Sequence, residues 1–323
     1  MNRFWKDYPV LFHELNQVKD LIKKNISSRE KYLEEAILPM VDGGGKMLRP
    51  AFLLLSSKFG EPDPEKIYNI AAVIEMLHMA TLIHDDIIDD ARLRRGSETV
   101  QYKYGKEYAV YIGDFLFCQC INMLANYDYN MEDLKNISKA LTKICMGEIT
   151  QYNLRYAKHA SLRNYIRIIS GKTAALFALS FYTGANEAKC NELISKSLGK
   201  IGYNAGMAFQ IIDDILDYDG NTEQLGKSAL RDLKRGYYTL PLILALEKDK
   251  DGRLLKLIDN KDLSDEETKE IIELVNLYNG TSRAKEVADR YTEKAIARIE
   301  KLPNCESKDI IRSTVINLLK RDY

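Results

Sequence analysis

The chain has 323 residues, of which 46% are apolar and 29% charged, a soluble globular balance with length enough for a sizeable core. Lys plus Arg and Asp plus Glu each number 47, so the formal net charge is zero and electrostatics make no case for nucleic-acid binding. The five cysteines (Cys118, Cys120, Cys145, Cys190, Cys305) are odd in number and never form a Cys-x-x-Cys pair. That argues against a disulfide framework or a thiolate zinc site and fits a reducing cytosol.

The N-terminal stretch MNRFWKDYPVLFHELNQVKD has no apolar signal core, and nowhere do about 18 apolar residues run uninterrupted. A cytoplasmic protein without a membrane span is predicted. GGGKMLRP at 43–50 follows, with three glycines and then Lys46 and Arg49 three residues apart on an emerging helix. Glycines let a backbone approach an anion, and the basic pair can grip phosphate oxygens. The Gly-x-x-x-x-Gly-Lys-Ser/Thr spacing of a nucleotide-binding loop is absent.

From Pro64 to Pro241 no proline intervenes, and apolar residues recur every three or four positions. That pattern suits stacked long helices and not a sheet. Ile70, Ile74, Leu77 and Thr81 form one such stripe, running into DDIID at 85–89. There Asp85 and Asp89 lie one turn apart on the same face, with Asp86 on the flank. Arg94 and Arg95 come just after. Lys172 and Thr173 stand in SGKTAALF. A second stripe, Gly206, Gln210, Asp213 and Asp217, carries the repeat DDILD at 213–217, followed by Lys227 in QLGKSAL.

Residues 250–270 read as charged and loop-like. Ser264 and Glu267 then form a capping box ahead of an apolar run. NLYNGTS ends that helix at Gly280 and offers Thr281 or Ser282 to begin the next. The whole reads as all-α, a single domain over 1–323.

A single acidic cluster is most simply a solvated helix face. Here both clusters sit in apolar sequence, ATLIHDDIIDDA and AFQIIDDILDYDG, where unpaired carboxylates are costly to desolvate. The same spacing occurring twice suggests two walls of one site. Carboxylates in that pattern suit a hard divalent ion such as Mg²⁺, which takes a few protein oxygens plus water and phosphate. DILDYDGNTEQ does not match the calcium-loop spacing, and arginines beside six aspartates fit phosphate and metal better than a glycosidase pair. The four histidines, His13, His78, His84 and His159, form no metal-ligand pair. The chemistry that uses all of these groups is ionisation of a diphosphate, with cations stabilising the departing charge beside an apolar pocket.

Taken together, GGGKMLRP, HDDIIDDARLRRG, SGKTAALF, GMAFQIIDDILDYDG and LGKSALRDLKRGYYTLPL, spanning 43–242, resemble the trans-polyprenyl diphosphate synthases of medium and long chain type. The resemblance implies the all-α isoprenoid synthase fold, a bundle of long helices around a deep central cavity, usually in a homodimer and in some cases with a heteromeric partner. It also implies that the two aspartate motifs face each other and hold Mg²⁺, three ions per site, on an allylic diphosphate primer. Asp85, Asp89 and Asp213 would be the direct ligands, with Asp86, Asp214 and Asp217 supporting. Lys46, Arg49, His78 and Arg95 would bind isopentenyl diphosphate. Arg94, Lys172, Thr173, Gln210 and Lys227 would hold the allylic diphosphate, with Lys172 and Thr173 also near the developing cation. The expected reaction is ionisation, attack by the isopentenyl double bond and proton loss. Peripheral membrane contact for release of a lipid product fits the same family.

Three positions depart from the family pattern. Met47 stands where many members have Arg, Leu230 replaces a common glycine, and Tyr237 stands where Lys is frequent. Lys234 is a candidate substitute phosphate contact.

In this family the residues just before the first aspartate motif floor the growing chain. Ala80 and Thr81 are small, which argues against an early stop, and Leu77 and Ile74 would line or close the tunnel. With that floor about three turns down the helix, the expected product has about six to eight isoprene units, about C30–C40. The alternatives are a shorter-chain geranylgeranyl or farnesyl synthase, a terpene cyclase, which normally lacks the second motif, and a noncatalytic subunit, which would be expected to lose its aspartates.

Overall fold

The computed structural model describes residues 3–43, 45–94, 96–129, 131–157, 161–218 and 232–319. Long helices dominate. In chain order they are α1 (Pro9–Ile26), α2 (Lys31–Asp42), α3 (Leu48–Ser57), α4 (Pro64–Ile88), α5 (Val100–Tyr104), α6 (Lys106–Ala125), α7 (Met131–Asn153) and α8 (Leu162–Ile169). After a π-helical turn at Ser170–Ala174 come α9 (Ala175–Glu187), α10 (Glu192–Leu216), α11 (Leu240–Leu246), α12 (Arg253–Ile258), α13 (Asp265–Leu277), α14 (Gly280–Ile299) and α15 (Glu306–Leu319). Among the described residues the strand content is one antiparallel pair, β1 (Leu93–Arg94) and β2 (Ser97–Glu98). The all-α expectation holds.

The chain forms two compact units, one of residues 1–134 and 180–196, the other of 135–179 and 197–323. In the first unit α4 is the central helix, contacting α1, α3 and α6. Its start is set by Asp63, whose carboxylate accepts from the backbone N–H groups of Glu65 and Lys66, with Pro64 at the first helical position, the arrangement that satisfies orphan donors at a helix N-terminus. From Ile67 to Ile83 its residues are mostly buried. Nearby, the Phe52 and Phe181 rings stack at 4.5 Å.

The second unit has two apolar clusters. One joins Ile169 and Tyr165 of α8, Met207 and Ile211 of α10, Leu240 and Leu244 of α11, and Ala284 and Ala288 of α14. The other packs Leu254, Ile258, Ile271 and Val275 against Tyr218 and Leu233.

By length and composition α4 and α6 could each cross a membrane, but α4 is largely buried inside its own unit. Burial of most of its residues within the unit accounts for its apolarity without a bilayer.

The capping box forms as expected at Ser264 and Glu267. Two local expectations change. The 250–270 stretch contains a short helix, α12, whose Leu254 and Ile258 reach the core. The break after α13 also falls earlier than Gly280: the helix stops at Leu277, Asn279 takes the left-handed conformation (φ 57°), and Gly280 is the first residue of α14. The glycine serves close approach and not chain reversal, because a Cβ there would stand 2.2 Å from the carbonyl oxygen of Pro241.

Backbone atoms cannot step aside as a flexible side chain can. Gly280→Ala should therefore destabilise the protein by about 1–3 kcal/mol, measured by urea unfolding; an unchanged midpoint would show that α11 and α14 are not in the contact described.

Candidate active site

In the first unit the acidic cluster occupies the end of α4. Asp89 is the residue after the helix, its N–H returning to the carbonyl of Asp85 at 2.8 Å. Asp90 then takes φ 46° and ends the helical path, while its carboxylate pairs with Lys106 at 2.8 Å. The chain doubles back through β1 and β2 and is tied to the helix end. Gln101 donates to the carbonyl of Ala91 at 2.7 Å, as does the Thr99 hydroxyl.

The hairpin places Arg94 against Asp86. Its Nε lies 2.8 Å and 3.1 Å from the two carboxylate oxygens, and its Nη2 2.8 Å from Oδ1. Asp86 is 4% exposed. Burial lifts its carboxyl above the ordinary value, and Arg94 opposes that rise. Asp85 and Asp89 are partly exposed.

The glycine-rich segment approaches the same unit. Met47 is buried in the left-handed conformation (φ 50°) as the residue before α3. Lys46 therefore precedes the helix and Arg49 lies within its first turn. The Trp5 indole donates to the carbonyl of Lys46 at 2.6 Å, and the Lys46 ammonium sits 5.1 Å from the Phe4 ring centre. A cavity of about 380 Å³ brings together Gly43, Gly45, His78, Asp86, Arg94 and Lys103, a volume at the small-ligand end of the usual range. Lys46 and Arg49 do not line it, nor do the expected chain-length residues Ile74, Leu77, Ala80 and Thr81. Of these, Ile74, Leu77 and Ala80 are buried, and the Thr81 hydroxyl donates to the carbonyl of His78 at 2.8 Å.

In the second unit the other cluster ends α10. Asp213 is exposed, Asp217 partly exposed, and Asp214 buried. The Asp214 carboxylate accepts from the Tyr165 hydroxyl at 2.6 Å and from the Gln210 amide at 2.9 Å. Both bonds favour the ionised form, but burial outweighs them and pushes the carboxyl up to about 8. Gln210 also accepts from the Thr173 hydroxyl at 2.6 Å. Lys172 donates to Glu148 at 3.1 Å and to Gln151 at 3.2 Å.

Glycines make these contacts possible. A Cβ on Gly171 would stand 2.5 Å from the carbonyl of Lys143, and one on Gly206 would stand 2.8 Å from Cα of Ala174, so the π turn is pressed against α7 and α10 alike. π turns concentrate at functional sites, and this one carries both Lys172 and Thr173. Residues before the turn also brace the segment that follows the second motif: Arg155 donates to the carbonyl of Arg235 and lies over the ring of Tyr237, 5.3 Å from its centre.

Arg95 and Lys227 lie outside the described residues, as do Gly44, His159 and Leu230. Lys234 pairs with Asp265 at the exposed surface.

The family model for polyprenyl synthetases matches residues 30–275. This chain belongs to the polyprenyl synthetase family. The heptaprenyl diphosphate synthase component 2 of Geobacillus stearothermophilus is 36% identical over 316 residues, 98% of either chain. Two solved structures superimpose over nearly the full length: geranylgeranyl pyrophosphate synthase from Lactobacillus brevis (TM-score 0.92, 35% identity, 99% of each chain) and heptaprenyl diphosphate synthase from Staphylococcus aureus (TM-score 0.90, 33% identity, 97% of this chain and 99% of that one). As a polyprenyl synthetase the chain is a prenyltransferase that elongates prenyl chains.

Within this polyprenyl synthetase, reading the sequence missed Tyr165, Glu148 and Gln151. Tyr165 lies on the same buried stripe of α8 as Ile169, four residues on, so it reads as ordinary core. Nothing in LRNYIRII signals that its hydroxyl meets a carboxylate.

The Asp86–Arg94 pair yields an asymmetric expectation. Arg94→Ala strands a carboxylate that is almost wholly buried, whereas Asp86→Ala leaves a guanidinium already about a third exposed that water can solvate. Arg94→Ala should cost about 1–2 kcal/mol more than Asp86→Ala in urea unfolding at pH 7. Equal losses would show that burial of the carboxylate is not what the pair offsets.

Proposed function

We propose that this chain condenses isopentenyl diphosphate with an allylic diphosphate primer to give an all-trans polyprenyl diphosphate of about six to eight isoprene units, its tunnel floor about three turns down α4. The observation that carries the reading is the placement of two Asp-rich motifs at the ends of two long helices, each beside cationic or amide donors and each embedded in apolar sequence.

The donors suit Mg²⁺, since the acidic groups supply oxygen ligands only. Among the described residues no three or more His, Cys, Asp or Glu side chains gather as a ready-made metal cage. That fits an ion which takes one or two carboxylates and completes its shell with water and phosphate oxygens. Asp85, Asp89, Asp213 and Asp217 would hold it. When bound, Mg²⁺ neutralises charge on the departing diphosphate.

The chain's own residues do the rest. Arg94, held by Asp86, presents a fixed guanidinium to phosphate oxygens in the cavity of the first unit, and Lys46, Arg49, His78 and Arg95 bind the isopentenyl diphosphate. In the second unit Lys172, Thr173 and Gln210, with Lys227, hold the allylic diphosphate, and the Thr173 oxygen stabilises the positive charge that develops on the allyl group. Ala80 and Thr81 admit the growing chain, with Leu77 and Ile74 setting its limit.

A homodimer is proposed from α6, which exposes Tyr111, Cys118 and Ile121 along one face, at the spacing of a packing stripe. The relative from Geobacillus stearothermophilus is named as one component of a synthase, and that favours a second reading in which this chain works with a different subunit. A cytoplasmic location, with peripheral membrane contact for product release, fits either case.

Incubation with Mg²⁺, isopentenyl diphosphate and a farnesyl or geranylgeranyl primer, followed by chain-length analysis, should show elongation by the purified chain alone. No product with any primer would overturn catalysis by this chain on its own and favour the two-component reading. Asp85→Ala and Asp213→Ala should each lower turnover by about two orders of magnitude or more; near-normal rates would refute the metal assignment. Ala80→Phe should shorten the product, and an unchanged length would place the floor elsewhere.

A further inference from the structure

The four side chains Tyr165, Asp214, Gln210 and Thr173 form a continuous hydrogen-bonded line in the second unit. Its direction is decided by chemistry. The Gln210 amide turns its NH₂ toward Oδ1 of Asp214 at 2.9 Å, the orientation that the ionised carboxylate requires of it. The amide oxygen then faces Thr173, and the Thr173 hydroxyl has to spend its hydrogen on that oxygen. What remains on Thr173 Oγ1 is lone-pair density. The opposite amide orientation would make Thr173 the acceptor and turn its hydrogen outward. The polarity of the last group in the line is therefore determined by the carboxylate two groups away.

The carboxylate is itself held by Tyr165. That residue is 4% exposed and Asp214 7%, so bulk water does not compete for either group. Without the tyrosine hydroxyl, Oδ2 of Asp214 has lost its partner in a buried setting, which is costly, and the carboxyl is free to turn away from Gln210. Tyr165 belongs to the same buried apolar cluster as Ile169 on its own helix and Ile211 on α10, so the core holds its ring and its hydroxyl is a rigid anchor. Gly206, one turn before Gln210, lets α10 approach the π turn closely enough for the Thr173 contact.

We propose that Tyr165 is a positioning residue that acts through Asp214 and Gln210 to hold the Thr173 oxygen with its lone pairs toward the allylic carbon where positive charge develops. This rests on the reading that Thr173 faces the allylic substrate. A preoriented dipole of this kind stabilises a developing charge without reorganising during the reaction, so its loss falls on turnover and not on substrate affinity.

The test uses the full-length chain with Mg²⁺, isopentenyl diphosphate and a farnesyl primer, comparing wild type, Tyr165→Phe, Thr173→Ala and the double variant. Tyr165→Phe should lower kcat about 10-fold or more with KM for the primer within about twofold, while circular dichroism shows a folded protein. The double variant should be no slower than Thr173→Ala, because both changes remove one effect. If Thr173→Ala slows turnover but Tyr165→Phe does not, or if the two losses multiply, the relay is overturned while the reading of Thr173 stands. If neither change affects kcat, the reading of Thr173 falls and takes the relay with it.

Discussion

Negative charge gathers at the C-terminal ends of α4 and α10, where unsatisfied carbonyls already point outward and the helix dipole is negative. Aspartates are ordinarily unfavourable there, by about 0.3–1 kcal/mol each, and these helices carry several. The protein answers each cluster with a fixed partner set: Arg94 on Asp86 in one unit, Tyr165 and Gln210 on Asp214 in the other. In both places it is the second aspartate of the motif that is buried. The first and last, Asp85 with Asp89 and Asp213 with Asp217, reach solvent at least in part. That division of labour turns an electrostatic liability into two places where cations are wanted.

The apolar half of the account follows from the same helices. α4 is buried for most of its length and changes from grease to charge within its last turn. A helix of this kind suits a substrate built the same way, with a diphosphate at one end and a hydrocarbon chain at the other. The surrounding devices serve precision. The β1–β2 hairpin returns Arg94 to the helix end, and the π turn with its glycine contacts sets Thr173 against Gln210. Each fixes a donor or acceptor to within a hydrogen-bond length, which is what charge stabilisation requires.

Much of this was legible in the sequence because it rests on periodicity and on residue types with few other uses. The absence of proline from 65 to 240 and the three-and-four spacing gave the helices, and the doubled Asp spacing gave both charged ends. Less could be read where a residue acts through geometry. Lys46 and Arg49 look like a helical pair, yet Met47 adopts a left-handed backbone and divides them. Gly280 looks like a helix stop, but its role is to let Pro241 approach, with Asn279 making the turn. Tyr165 has the pattern of a core residue and the function of a hydrogen-bond donor, and no local spacing records which carboxylate a buried hydroxyl will meet. The division of the aspartates into buried and solvent-reaching members has the same origin: it depends on neighbours far away in sequence.

The central claim is that the proposed Mg²⁺ sites are completed by the substrate's diphosphate and are not ready-made cages of protein ligands. Calorimetric titration of Mg²⁺ into the protein, alone and with a saturating allylic thiolodiphosphate that resists ionisation, tests this directly. The account predicts weak binding to the protein alone and binding about 10- to 100-fold tighter with the analogue. Equal affinity in the two titrations, or no binding in either, would contradict it.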